Sequence, residues 1–129
     1  RFGVPIAKTL GNCLSASNIA WLVAHLGINI VKRMLLLAEL VTAPELLKQG
    51  YLLATHPAQA LENESNQLAE RLMSLAPITQ KSSKQTLARI IKNNLPDCSD
   101  LIRECYGSDD FKNGVAAFLD GKPPTWTGK

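Results

Sequence analysis

A mainly α-helical chain is predicted by three features of the sequence. Apolar residues recur at steps of three and four along most of its length. Aromatic residues are only 5% of the total while Leu, Ala and Lys abound, a balance that suits helices better than sheets. Pro, Ser, Thr and Gly punctuate the apolar runs where helices start and stop. The expectation is about six or seven short helices, with at most short strands near the start and around 51–54.

Taken in order, residues 1–10 read as extended or irregular, because Gly3 and Pro5 oppose a helix. Gly11-Asn12 reads as a turn, with Asn12 or Ser15 available to cap the helix that follows. Ile19, Leu22, Val23 and Leu26 then share one face, and Gly27 stands where a stop is expected. A second helix is expected from near Asn29 through Ala38. It is apolar nearly all round, at Ile30, Val31, Met34, Leu35 and Leu37, and should therefore be buried. Thr42 and Glu45 have the spacing of a capping box, and Gly50 closes a short helix. Tyr51–Ala54 is either a strand or a buried connector.

Pro57 opens a longer amphipathic helix to about Ala76, with Leu61, Leu68, Leu72 and Leu75 on one side. Pro77 starts another through Asn94, whose apolar face is Leu87, Ile90 and Ile91. Pro96-Asp97 begins a further helix with Leu101, Ile102 and Cys105 inward. Ser108 caps the last helix, whose inner face is expected to hold Phe111, Val115 and Phe118. Gly121-Lys122-Pro123-Pro124 ends it and leaves a tail that contains Trp126. A boundary is expected near Ala54–Pro57, dividing the chain into residues 1–55 and 56–129.

Composition narrows the function. The 129 residues suffice for one domain with a core, and 46% apolar content is ordinary. A net charge of +3 favours acidic partners only weakly. Cys13, Cys98 and Cys105 are odd in number and lack CxxC spacing, which argues against a disulfide framework and points to a reducing, cytoplasmic setting. His25 and His56 have no metal-like neighbours at helical spacing, so neither metal nor cofactor is expected. No run approaches the ~18 apolar residues of a membrane span, and nothing reads as a signal peptide. The chain starts at Arg1 without a methionine, so residue 1 is expected to be a cut point in a longer parent.

Three stretches, in order, carry a resemblance. The first is Phe2-Gly3-Val4-Pro5, then a turn and a helix ending at Gly27. The second runs from Val31-Lys32-Arg33-Met34-Leu35-Leu36 through Ala43-Pro44-Glu45 to Gly50-Tyr51-Leu52. The third is Ser108-Asp109-Asp110-Phe111-Lys112-Asn113-Gly114-Val115-Ala116-Ala117-Phe118, followed by Lys122-Pro123. Together they resemble the C-terminal part of the crotonase family, the enoyl-CoA hydratases and isomerases. The resemblance implies the end of the spiral core over 1–55 and a helical trimerisation region over 56–129. It also implies an acyl-CoA thioester as ligand of the parent, and a trimeric or hexameric homo-oligomer.

Two departures bear on chemistry. Ile6 stands where hydratases of the family place a catalytic glutamate, and an alkyl group neither donates nor accepts a proton. The family's Pro-Gly-Ala-Gly-Gly turn is replaced by Gly11-Asn12-Cys13-Leu14-Ser15-Ala16-Ser17. Hydration of an enoyl thioester needs an acid, a base and oxyanion donors; losing one acid–base group costs about 10²–10⁴ in rate. The chain alone is therefore expected to have no catalytic residue and no hydratase activity, whereas enolate chemistry in the parent stays open.

By the resemblance, Ile6, Asn12, Cys13 and Ser15 are candidates for an acyl pocket. The competing reading makes the polar ones helix caps and a small thiol in the core. Phe118 and Lys122 are candidates for CoA, through an aromatic face on adenine and an ammonium on phosphate. The competing reading puts Phe118 in the core and Lys122 in solvent. Lys81, Lys84, Arg89 and Lys92 give a basic helix, but no aromatic interleaves them, so no nucleic acid is expected. Trp21 is expected to be packed, and Trp126 to clamp the last helix or a neighbouring subunit. Two functions from different classes remain: a part of an acyl-CoA enzyme that serves assembly and the CoA site, or a non-catalytic helical protein-interaction module.

Overall fold

The computed structural model describes residues 1–93 and 95–129. Its elements are α1 (Ile6–Thr9), α2 (Ala16–Leu26), α3 (Ile28–Leu36), α4 (Ala43–Lys48), α5 (Ala58–Met73), α6 (Pro77–Lys92), α7 (Ser99–Gly107) and α8 (Asp109–Leu119). The expected helix end at Asn94 lies outside the described residues. The mainly helical expectation holds. Among the described residues, extended pairing is confined to one antiparallel bridge between Phe2 and Val41. Tyr51–Ala54 is a bend, not a strand.

The helix ends explain most of the boundaries. Ser15 Oγ accepts from the Asn18 N–H at the start of α2, and Ser108 Oγ accepts from the Phe111 N–H at the start of α8. Residues 6–9, expected to be irregular, form one helical turn. Pro5 in fact sits at its N-cap, where a missing N–H costs nothing, and Thr9 Oγ1 donates back to the Pro5 carbonyl at 2.9 Å. The capping box at Thr42 does not form: the Thr42 side chain makes no cap hydrogen bond. Glu45 turns instead to Arg33, whose guanidinium also binds Glu39 through Nε at 2.8 Å. Charge-assisted forks onto a guanidinium outcompete a neutral backbone donor. The clamp holds the α3–α4 turn, where Ala38 takes a left-handed φ of 51°.

The core lies in the first half. Leu26, Ile30, Val31, Met34, Val41 and Leu46 are buried together, with Leu22, Val23, Leu35 and Leu52 packed on their edge. Burying one such side chain contributes about 1.5–3 kcal/mol. Helix α3 is thus buried on one face only, since Leu36 and Leu37 are more than 70% exposed. Val31, expected to be buried, belongs to the core.

Beyond residue 54 the pattern inverts. Helices α5 and α6 bury no side chain completely, and Leu61, Leu72, Leu75, Leu87 and Ile90 are at least half exposed. Gln80 of α6 donates to the Leu72 carbonyl of α5 at 2.9 Å, α6 lies against α2, and α7 packs on α8. Phe118, expected inside, is 66% exposed, and Leu101 is exposed as well. The buried position of α8 is Gly114. A Cβ there would collide with the Leu10 carbonyl, so the missing side chain lets α8 cross the 10–13 loop at backbone distance.

The tail returns over the same loop. The Asp110 carboxylate accepts from the Thr127 N–H at 2.6 Å, the Thr127 hydroxyl at 2.8 Å and the Gly128 N–H at 2.9 Å. The N–H groups of Asp109 and Asp110 both donate to the Lys129 carbonyl. Trp126 comes down on Gly11, whose φ of 64° and 2.8 Å clearance to the indole exclude a side chain. Trp126, expected to clamp the last helix or a neighbouring subunit, closes instead on the loop before α2, while the residues after it hold the last helix.

Gly114→Val should lower stability by about 1–3 kcal/mol through overpacking against Leu10, read as an earlier denaturation midpoint. An unchanged midpoint would mean that α8 does not cross there. The backbone donors of Thr127 and Gly128 hold the Asp110 carboxyl below its ordinary value of 3.8. Its contribution is then complete above pH 3.8 and lost as pH falls through the lower folded value. In a Trp21→Phe background, Trp126 emission should shift red on acidification below about pH 4, and already at neutral pH in Asp110→Ala. Emission that ignores both changes would refute the clasp.

Candidate functional site

The 10–13 loop and the cap of α2 gather three of the six candidate residues, Asn12, Cys13 and Ser15. Gly11 turns the chain after α1, and Ser15 caps α2, so Asn12 and Cys13 are held between two fixed helix ends. Asn12, Cys13, Ser15, Asn18, Ile102 and Tyr106 line a hollow of about 500 Å³. Tyr106 reaches across from α7, its hydroxyl donating to the Cys13 carbonyl at 3.4 Å. Phe111 stacks edge-on against Tyr106 with ring centroids 4.7 Å apart, which steadies that wall.

Behind Asn12 a second hollow runs past Gly11, Cys105, Asp110 and Trp126 toward the tail. The Asn12 Oδ1 is buried and accepts no hydrogen bond from the protein. An acceptor in that state carries a desolvation cost of about 1–3 kcal/mol until a donor reaches it. The Cys105 thiol donates to the Gly11 carbonyl at 3.3 Å. Burial, then Cys13, then Glu104 push the Cys105 thiol up to about 11.

Ser15 serves two purposes: it lines the first hollow and its hydroxyl is engaged as a cap, also meeting Ser17 Oγ at 3.0 Å. Ile6 is the first residue of α1, half-buried, and lines neither hollow. Its carbonyl accepts from the Leu10 and Gly11 N–H groups, so Ile6 closes the turn that sets up the loop. Phe118 and Lys122 are elsewhere. Phe118 sits in the last turn of α8 and Lys122 just beyond it, while the hollows adjoin its N-terminal end, roughly 15 Å away along an 11-residue helix. Lys122 Nζ binds the Asp120 carboxylate at 3.1 Å and its backbone N–H donates to Ala117. The structure thus joins Asn12, Cys13 and Ser15 and leaves Phe118 and Lys122 apart from them.

Tyr106, Ile102 and Asn18 were not singled out from sequence. Tyr106 and Ile102 lie about ninety residues from the loop they wall, and no local pattern announces such a pairing. Chemically, the first hollow offers hydroxyl, amide and thiol groups beside apolar walls, with no carboxylate or imidazole among its lining residues. It is equipped to bind and orient. Among the described residues, no group of three His, Cys, Asp or Glu side chains is placed to hold a metal. No helix among them is long and apolar enough to cross a membrane. Three further hollows lie apart from this loop: one between α5 and the 53–56 segment that includes His56, Glu64, Ser65 and Arg71, one along α6, and one beside the Phe2–Val41 bridge.

The fold has known relatives. The chain is 25% identical to 2,3-dehydroadipyl-CoA hydratase of Escherichia coli, over the whole chain and 52% of that protein. It is 26% identical to methylmalonyl-CoA decarboxylase of Escherichia coli, over 79% of the chain and 41% of that protein. A crystal structure of methylmalonyl-CoA decarboxylase with 2-nitronate-propionyl-CoA superposes with a TM-score of 0.90 at 25% identity, covering 99% of this chain and 51% of that one. The chain spans about half the length of these relatives. The family model described as enoyl-CoA hydratase/isomerase matches residues 1–129, and the chain belongs to that family.

Proposed function

We propose that the protein of which these residues form the C-terminal part acts on acyl-CoA thioesters by stabilising an enolate. Its chemistry uses no acid–base group at position 6. Ile6, at the start of α1, carries this reading, in a chain whose whole length matches the enoyl-CoA hydratase/isomerase family. Hydration needs a proton donor and a proton acceptor at two carbons. Loss of carboxylate from a 2-carboxyacyl thioester needs neither at the outset: the C–C bond breaks, CO₂ leaves, and the electron pair moves onto the thioester as an enolate. Oxyanion donors then supply most of the stabilisation. The likeness to methylmalonyl-CoA decarboxylase is compatible with this branch and the equal likeness to 2,3-dehydroadipyl-CoA hydratase with hydration; the alkyl side chain at position 6 supports the former.

On this reading Asn12, Cys13 and Ser15, with Tyr106, form one wall of the acyl pocket, and the unsatisfied Asn12 Oδ1 supports a donor-bearing ligand there. Phe118 and Lys122 serve CoA. The 66% exposure of Phe118 supports a stacking role, while Lys122 has to leave Asp120 to reach a phosphate. Residues 1–55 are the end of the catalytic core and 56–129 the oligomerising part, a division supported by a core drawn entirely from residues 26–46. The uncovered leucines of α5 and α6 support a homo-oligomer, a trimer or hexamer. Three unpaired thiols support a reducing, cytoplasmic setting. The same exposed leucines favour the second reading, a non-catalytic helical interaction module.

Calorimetry of the complete protein with CoA and acetyl-CoA should show saturable binding; none at millimolar ligand rejects the first reading and leaves the interaction module. Turnover of a 2-carboxyacyl-CoA should exceed hydration of a 2-enoyl-CoA by about 10²-fold or more. Hydration at ordinary enzymatic rates, about 1–10³ s⁻¹, would overturn the enolate-only chemistry. In sedimentation, the 14.0 kDa chain by itself should associate through its exposed apolar surface. A monodisperse monomer at high concentration contradicts the assembly role.

A further inference from the structure

Two of the three thiols are brought together by the fold. Cys13 sits in the loop before α2 and Cys105 in the middle of α7, far apart in sequence. The Cys105 thiol donates to the carbonyl of Gly11, two residues before Cys13, at 3.3 Å. The next residue on α7, Tyr106, donates to the Cys13 carbonyl itself at 3.4 Å. The Cys105 thiol also feels Cys13, which helps to push its titration up. Both are half-buried, and each opens onto one of the two hollows that flank Asn12. Small oxidants therefore have a way in. Cys98 is set apart, seven residues before Cys105 and about 10 Å back along α7.

We infer that Cys13 and Cys105 are a reversible redox pair, closing to a disulfide in response to a hydroperoxide and bolting α7 to the wall of the 10–13 loop. Cys105 is little ionised at neutral pH, so Cys13 is the sulfur that meets the oxidant. Its thiolate attacks one peroxide oxygen, the O–O bond breaks, and hydroxide leaves with a proton as water, giving a sulfenic acid on Cys13. The Cys105 sulfur then attacks Cys13 Sγ. The S–O bond breaks, and hydroxide takes the Cys105 proton and departs as a second water. Two thiols lose two electrons in all, and one peroxide gains them. An excess of a dithiol reverses the bond by exchange. Transient pairs of this kind are the form in which disulfides occur in reducing compartments.

The bond stands on the geometry alone, whereas any effect on catalysis rests on the proposed acyl pocket. The test treats the complete protein with hydrogen peroxide, alkylates the remaining thiols and maps tryptic peptides without reduction. Cleavage puts Cys13 in peptide 9–32, Cys98 in 93–103 and Cys105 in 104–112. The expected product joins 9–32 to 104–112, leaves 93–103 alkylated and disappears with dithiothreitol. In Cys105→Ser, the Cys13 sulfenic acid should persist and be trapped by dimedone. Both peptides recovered alkylated, both separately over-oxidised, or Cys98 found in the bond would each overturn the pair, and wild-type mapping decides this even if the variant misfolds. Acetyl-CoA binding measured before and after oxidation separates the two ideas. A formed bond that leaves binding intact confirms the pair and removes Cys13 from the pocket.

Discussion

The arrangement depends on one close approach, that of α8 to the carbonyl of Leu10. Gly114 lets two backbones meet where any side chain would hold them apart. Everything that gives the 10–13 loop its surroundings follows from that crossing. It brings α7 alongside, so that Ile102, Cys105 and Tyr106 wall the loop, and it leaves the start of α8 where Asp110 can capture the tail. Trp126 then closes over Gly11, itself bare for the same steric reason. Two glycines in contact with neighbouring chain, far more than any apolar cluster, dock the last third of the sequence onto the first.

Charge organises the turns in both halves. Arg33 gathers Glu39 and Glu45 at the α3–α4 turn, and Asp110 gathers three donors of the tail. The Arg33 fork raises that guanidinium above its ordinary value and holds Glu39 below its own, through hydrogen bonds first and charge second. All of these groups are solvent-facing, so screening keeps each pair weak as a source of stability. Their value is directional. A fork of donors and acceptors fixes a turn that apolar contacts leave free to swivel.

The contrast between the two halves has a functional sense. Residues 26–46 hold the apolar core, whereas α5 and α6 turn their leucines outward. A helix with a clean apolar stripe and nothing on it is suited to a partner surface. The loop between α1 and α2 carries the polar groups, and the alkyl side chain of Ile6 precedes it by one turn.

The helices were legible in the sequence wherever the signal was local. Ser15 and Ser108 cap because a hydroxyl reaches an N–H three residues on, and such reach is written in the spacing. The family likeness was legible as well, from short stretches kept in order, and with it the loop that bears Asn12, Cys13 and Ser15. Glu45 misled because a guanidinium twelve residues away offered a stronger partner than the local cap. Phe118 misled because helical periodicity says which residues share a face and not whether anything covers it. By itself, then, the chain determined its helices, their caps and the absence of a carboxylate at position 6. Which thiols meet, which glycines are crossed and which leucines stay bare were decided only in three dimensions. The contacts among them join residues about ninety or more apart, and no local preference encodes them.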